Sequence, residues 1–275
     1  MQTSANPTAG GVKGRIVANA DCGLAGWGVV RIPWDEIPRW RRDPGPCGDL
    51  NPAPHLKLAD EQTVLACAAL LDACDRAEWS PASFGDWAVL AAPTYPGRVR
   101  LAPSFRRFLK AGPRGVSPLV IPTLSNHAMA GTMCLILGSH GPNFGVGGST
   151  PMIDELLLNA LSLLATGNCA GVWALMTAWD PEPVPDDNDR CATPAIGVGV
   201  ALALVPGASS GALRLAPPGF LRCAGEECGT VFELADFLEQ RGHAPSWFCP
   251  ILGGGHLELI AGAGATSALP LRLAG

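Results

Sequence analysis

The sequence predicts an α/β fold in which helices are layered around a mostly parallel sheet, and three observations point to it. Apolar runs of strand length alternate with segments whose apolar residues recur at helical spacing. Two segments of the middle region end at a glycine, Gly138 and Gly167, shortly before the next apolar run begins. Finally, 48% of the 275 residues are apolar, enough for a core on both faces of a sheet.

Taken in order, Gly14 to Ala20 reads as a first strand, followed by a glycine-rich turn around Gly23, Gly26 and Gly28. The stretch from Ile32 to Asn51, with Trp34, Trp40 and four prolines, reads as an irregular loop. Asp60 is placed to cap a helix running to Arg76, because Val64, Leu65, Ala68 and Leu71 recur at helical spacing. Trp87 to Ala92 is a short strand, Ser104 to Lys110 a short basic helix, and Ser117-Pro118 a break.

Asn126 to Leu137 is a helix of small and apolar residues, followed by a glycine-rich strand over Asn143 to Gly148. A second long helix opens there. Thr150 suits its N-cap and Pro151 its first position, and Asp154 with Glu155 complement the positive end of the dipole. Its polar residues Glu155, Asn159, Ser162 and Thr166 form one narrow stripe, so the rest of the helix is enclosed by protein. Strands follow over Gly171 to Ala178 and Ala195 to Val205, separated by a polar loop from Asp180 to Arg190, and Leu213 to Ala216 extends that second pairing. The tail adds a helix, Val231 to Gln240, and an apolar segment, Leu257 to Ile260.

Composition excludes several classes. Lys+Arg number 19 against 24 Asp+Glu, and the basic residues occur in short groups such as Arg39, Arg41 and Arg42, so no nucleic-acid track is expected. The longest apolar stretch, Pro194 to Val205, is interrupted by Gly197 and Gly199 and is shorter than the ~20 residues of a membrane-spanning helix. Met1 to Gly11 has neither the basic start nor the apolar run of a secretory signal, which makes the cytoplasm the expected compartment. Cys67, Cys74, Cys134 and Cys169 fall inside apolar segments and read as reduced core residues. Cys223, Cys228, His243 and Cys249 are the best metal candidates, but they lack the tight two-residue spacing of zinc modules, so no metal or other cofactor is expected.

The order of motifs carries a resemblance. Ser117-Pro118, Ser125-Asn126-His127-Ala128-Met129-Ala130-Gly131, Leu137-Gly138-Ser139-His140-Gly141-Pro142-Asn143 and the Gly/Ser/Thr-rich opening of a buried helix together resemble β-ketoacyl synthases. Gly167-Asn168-Cys169-Ala170-Gly171-Val172 and the glycine- and alanine-rich run from Ala195 to Val205 resemble that family's next two steps. The resemblance implies half of a thiolase-like fold, a ketosynthase N-terminal-like domain over 11–206 with a short C-terminal extension, 207–275, packed on it. It also implies a nucleophile at the strand-to-helix turn, where unpaired backbone N–H groups and the helix dipole lower a thiol's pKa and stabilise an oxyanion.

At that position the chain has Thr150, with Ser149 beside it, where the family keeps a cysteine. A hydroxyl needs an adjacent base to attack a thioester, and Thr150 is equally accounted for as a helix cap. Few residues follow Val205, too few for the second half that brings the family's other catalytic groups. His256, ahead of Ala261-Gly262-Ala263-Gly264, faintly resembles one of that half's histidine motifs, and His127 lies near the turn by the same resemblance, although a histidine on a small-residue helix is more often a core residue.

The subgroup it is most similar to is the short chain length factors of aryl polyene and related pathways. That implies a non-condensing partner of an active ketosynthase, or a self-dimer, that also meets an acyl carrier protein in fatty acid or polyketide biosynthesis. Gly147, Gly148, Met152 and Ile153 would face the dimer interface or an acyl channel. The alternative is a small acyltransferase or thioesterase with Ser149 or Thr150 as nucleophile and His127 or His256 as base.

Overall fold

A computed structural model describes residues 21–45, 50–79, 84–147, 152–188, 190–191, 194–207, 211–216, 229–239, 246–251 and 255–260. Eight strands form one sheet: β1 (Asp21–Pro33), β2 (Trp87–Pro93), β3 (Asn143–Gly145), β4 (Gly171–Asp180), β5 (Ile196–Pro206), β6 (Gly211–Ala216), β7 (Trp247–Pro250) and β8 (His256–Ile260). Their order is β3-β2-β4-β5-β1-β6-β8-β7. Period-two alternation sends Ala88, Leu90, Val172 and Ala174 into one core and Val89, Ala91, Trp173 and Leu175 into the other. Helices α7 (Ile153–Thr166) and α8 (Val231–Glu239) cover the first face, α3 (Glu61–Arg76) and α6 (Asn126–Leu137) the second.

The sheet is not mostly parallel. β2 pairs in parallel with β3 and β4, whereas β4–β5, β5–β1, β1–β6, β6–β8 and β8–β7 are all antiparallel. The reason lies in the connections. Helices α6 and α7 carry the chain back across the sheet between β2, β3 and β4, but the described residues joining β4 to β5 hold no helix, so the chain turns back on itself. The segment 211–216 pairs with β1 and β8, not with β5.

The glycines expected to turn at 23, 26 and 28 lie inside β1 instead. A Cβ on Gly28 would run into the Ala69 carbonyl, and one on Gly199 would lie 2.5 Å from the Leu65 carbonyl oxygen. These glycines let the backbone of α3 rest directly on β1 and β5. The region read as an irregular loop holds a 3₁₀ turn, Trp34–Glu36, and α1 (Ile37–Arg42), with α2 (Ala53–Leu56) beyond it. The strand expected over Gly14 to Ala20 lies outside the described residues.

Other expectations hold. The Asp60 side chain accepts from Thr63 N at 2.8 Å as the N-cap of α3. Gly138 and Gly167 end α6 and α7 in the left-handed conformation, with φ of 62° and 70°. The stripe Glu155, Asn159, Ser162 and Thr166 is exposed while Leu156, Leu157, Ala160 and Leu161 are buried. Cys67, Cys74, Cys134 and Cys169 are buried thiols outside any disulfide. The helix foreseen over Ser104 to Lys110 is longer, α4 (Arg98–Ala111), and α5 (Val120–Leu124) follows it. No helix among the described residues is long and apolar enough to cross a membrane.

Candidate functional site

β2, β3 and β4 run the same way, so their C-terminal ends open at one end of the sheet, where the chain turns toward helices. Gly147, two residues past β3, has a φ of 73°, and a Cβ there would collide with the Met152 side chain. The Asn126 amide at the start of α6 donates to the Gly147 carbonyl. Gly147 and Met152 therefore meet, and α6 is fastened to the same point.

Helix α7 starts at Ile153 with Met152 as its N-cap, and no side chain caps it. That is two residues later than a cap at Thr150 with Pro151 at the first position would place it. Asp154 and Glu155 still occupy its first turn. Gly148, Ser149, Thr150 and Pro151 lie outside the described residues.

Beside Met152 and Ile153 is a cavity of about 210 Å³, enclosed by Ala92 of β2, Ala178 and Trp179 of β4, and Val231 and Phe232 of α8. Its walls are almost wholly apolar, with Thr94, Tyr95, Glu182 and Thr230 supplying the polar groups. Thr230 is engaged already. It forms a reciprocal cap on α8, its N–H donating to Glu233 Oε2 at 2.7 Å and its Oγ1 accepting from Glu233 N at 3.1 Å.

Glu182 is different. Burial pushes its carboxyl up from 4.5 to about 7, against the opposing pull of the Arg98 guanidinium 3.9 Å away. Arg98 also lies over the Tyr95 ring, 4.0 Å from its centre, and Tyr95 itself has a φ of 51°.

Tyr95 is held in place from α3. Gln62 donates to the Thr94 carbonyl and accepts from Thr177 Oγ1 at 2.7 Å, while Asp60 Oδ2 accepts from Gly97 N at 3.1 Å. Asp60 is buried with no cation in hydrogen-bond contact among the described residues, and burial raises its pKa against the lowering effect of those N–H donors.

The structure brings together Gly147, Met152 and Ile153, with His127 one residue from Asn126. His127 is exposed, not a core residue, and its ring lies over Gly131 one turn on. His256 is elsewhere. It begins β8, six strand positions across the sheet from β3, beyond contact reach of Gly147 at ordinary strand spacing. There it is buried against Phe248, with ring centres 5.3 Å apart. Cys249 is buried in β7, the described residues hold no cluster able to bind a metal, and Cys223, Cys228 and His243 lie outside them.

Sequence reasoning missed Glu182, Tyr95, Trp179 and Phe232. One signal was present: Glu182 stands between Pro181 and Pro183 directly after a strand, where α/β folds carry their sites.

No family model matches the chain, and no curated protein matches it in sequence. Among solved structures it resembles a chain of the ketosynthase (ApeO) in complex with its chain length factor (ApeC) from Xenorhabdus doucetiae. The TM-score is 0.55 at 14% identity, over 87% of this chain and 99% of that one. Weaker likenesses include the ishigamide ketosynthase/chain length factor (TM-score 0.44, 15% identity, 68% of this chain and 59% of that one). Another is the ketosynthase from module 1 of the bacillaene synthase of Bacillus amyloliquefaciens FZB42 (0.45, 11%, 74% and 48%). At 14% identity the likeness to the first is one of fold alone.

Proposed function

We propose that the chain is a non-condensing, chain-length-factor-type partner of an active ketosynthase in fatty acid or polyketide biosynthesis of the aryl polyene kind. The observation that carries this reading is the open side of β3. Among the described residues this three-residue strand is an edge of the sheet, two residues before Gly147, and an edge strand presents unpaired N–H and C=O groups to a second chain. Helices α4 and α5 also expose Phe105, Phe108, Leu109 and Ile121, apolar side chains of the kind a partner can cover.

Further support comes from the fold. The ApeO–ApeC structure is a complex of a ketosynthase with its chain length factor, and the present chain spans 99% of the matched chain. The site residues fit the same reading: Thr150 stands where a ketosynthase-like chain would keep its thiol, and the apolar cavity beside Met152 and Ile153 is suited to an acyl chain. The rival hydrolase or acyltransferase reading needs a base for Ser149 or Thr150, and the placement of His256 counts against it in that role.

Co-purification tests the proposal. Tagged protein co-expressed with a ketosynthase and an acyl carrier protein of an aryl polyene-type pathway is expected to recover a stable ketosynthase complex and to show no condensation alone. Recovery of neither partner, with an established pair associating under the same conditions, would overturn it. Intact-mass analysis after incubation with acyl thioesters should show no covalent adduct.

A further inference from the structure

Charge is distributed unevenly along this chain. Residues 87–153 hold six of its 19 basic residues, Arg98, Arg100, Arg106, Arg107, Lys110 and Arg114, and none of its 24 acidic ones, so this region is positive in a chain of net charge -5. All six lie on α4 or on the 3₁₀ turn that follows it, Gly112–Gly115, which folds back until a Cβ on Gly115 would lie 2.6 Å from the Arg107 carbonyl oxygen. Arg98 and Arg100 are engaged, approaching Glu182 at 3.9 Å and Glu61 at 3.1 Å, and Arg106 is within electrostatic reach of Asp186. Arg107, Lys110 and Arg114 are exposed and meet no carboxylate among the described residues.

The same helix is apolar beside these charges. Phe105, Phe108 and Leu109 share one face at spacings of three and four residues and all are exposed, while α4 buries only Ser104. Leu58 and Leu119, exposed as well, border a groove with Arg107 along one flank of the helix, and Leu101 and Phe105 border a second with Arg98 along the other. The C-terminal half of α4 therefore projects from the molecule with large apolar side chains on one side and cations on the other. That is the arrangement of a helix lying in the plane of a bilayer interface, its apolar side at the acyl boundary and its cations among the headgroups.

We propose that α4, with Leu58 and Leu119 beside it, docks the chain on the surface of an anionic lipid bilayer. Charge complementarity names the occupant, since Arg107, Lys110 and Arg114 face outward with no carboxylate to neutralise them, and an anionic leaflet attracts each of them. The acidic remainder of the chain is repelled by the same surface, which orients the molecule with α4 toward the lipid. Between two kinds of anionic partner, a bilayer fits better than an acidic protein, because Phe105, Phe108 and Leu109 need an apolar layer next to the charges and a leaflet supplies both. No described helix spans a membrane, so the association is peripheral and reversible. It does not rest on the subunit reading. A ketosynthase seated on α4 would cover the same side chains, so the bilayer is the occupant of the unpaired chain.

The test is flotation of the full chain, without a ketosynthase, on vesicles of phosphatidylcholine alone and on vesicles with about 30% phosphatidylglycerol, at about 0.1 M salt. Binding is expected to be about tenfold tighter or more to the anionic vesicles and to be lost toward about 0.5 M salt. Arg107→Gln, Lys110→Gln and Arg114→Gln together should weaken it on the order of a hundredfold, at about fivefold per cation near an anionic surface. Phe105→Ser with Leu109→Ser should weaken it about tenfold. All five side chains are exposed, and unchanged melting of each variant checks that the fold is kept. No binding to either vesicle, equal binding to both, or binding that survives the charge substitutions would overturn the proposal. So would retention on an acyl carrier protein that falls with the same cations while vesicles stay unbound, which would give α4 to an acidic protein instead. Vesicle binding and ketosynthase co-purification fail independently, so either result leaves the other assignment standing.

Discussion

Helices α3 and α4 begin within a few residues of each other in space and face opposite tasks. Twelve of the sixteen residues of α3 are buried, its first turn is capped by Asp60, and its backbone lies on glycines of two strands. Helix α4 buries only Ser104, contains Pro103, starts from Gly97 without a side-chain cap, and exposes Phe105 (64%) and Leu109 (82%). The two are tied at their origins, since Asp60 accepts from Gly97 N and Glu61 pairs with Arg100 at 3.1 Å. One helix therefore fixes the fold and the other presents a surface from a fixed anchor. Apolar residues alone do not distinguish these tasks; what surrounds them does.

That contrast can be broken at its strongest point first. Gly28→Val places a side chain against Ala73, whose N would be 2.5 Å from the new Cβ, and should cost about 3 kcal/mol or more, seen as loss of a cooperative thermal transition. Asp60→Ala removes the cap of α3 and the anchor of α4 together, for an expected loss of about 1–2 kcal/mol in denaturant unfolding.

Glu182, linked to α4 through Arg98, gives a smaller and pH-dependent effect. Its folded pKa of about 7 lies above its ordinary 4.5, so the folded state holds a proton that the unfolded chain releases. Stability should fall as pH rises from about 4.5 to about 7, and Glu182→Gln should remove that slope. The difference is on the order of 1 kcal/mol after allowance for solvent screening, and paired melts at pH 5 and pH 8 measure it. Smallest of all on stability, Phe105→Ser with Leu109→Ser on α4 should change unfolding by no more than about 0.5 kcal/mol. The same double variant should weaken ketosynthase association about tenfold, and unaltered association would show that α4 is not part of the interface.

Much of this was legible in the sequence because it is local. Asp60 followed by Thr63, and glycines directly after Leu137 and Thr166, mark helix ends with groups that act within one turn, and the structure puts those ends there. Strand direction was not legible. Nothing in the apolar run from Ile196 states that β5 returns antiparallel to β4, because direction depends on whether a helix fits in the connecting loop. Gly28 misled for a related reason: a glycine that admits a distant helix looks the same in sequence as one that makes a turn. Gly147 and Met152 meet because they are close in the chain. Glu182 escaped notice because its weakened acidity comes from burial, and the fold rather than the local sequence brings Ala92 and Phe232 to line the same cavity.

The hydrogen bonds from α3 to the strand-end loop have a consequence for how the cavity can vary. Thr94 and Gly97, on either side of Tyr95, are held by Gln62 of the buried helix α3 and by its N-cap Asp60, so that wall cannot be recut without disturbing the core beneath it. The facing wall, from Glu182 and the first turn of α8, has no comparable bonds to α3 among those described. Descendants of this sequence that change what the cavity accepts are expected to carry their substitutions there, with the 60–62 and 94–97 segments kept as an inherited template.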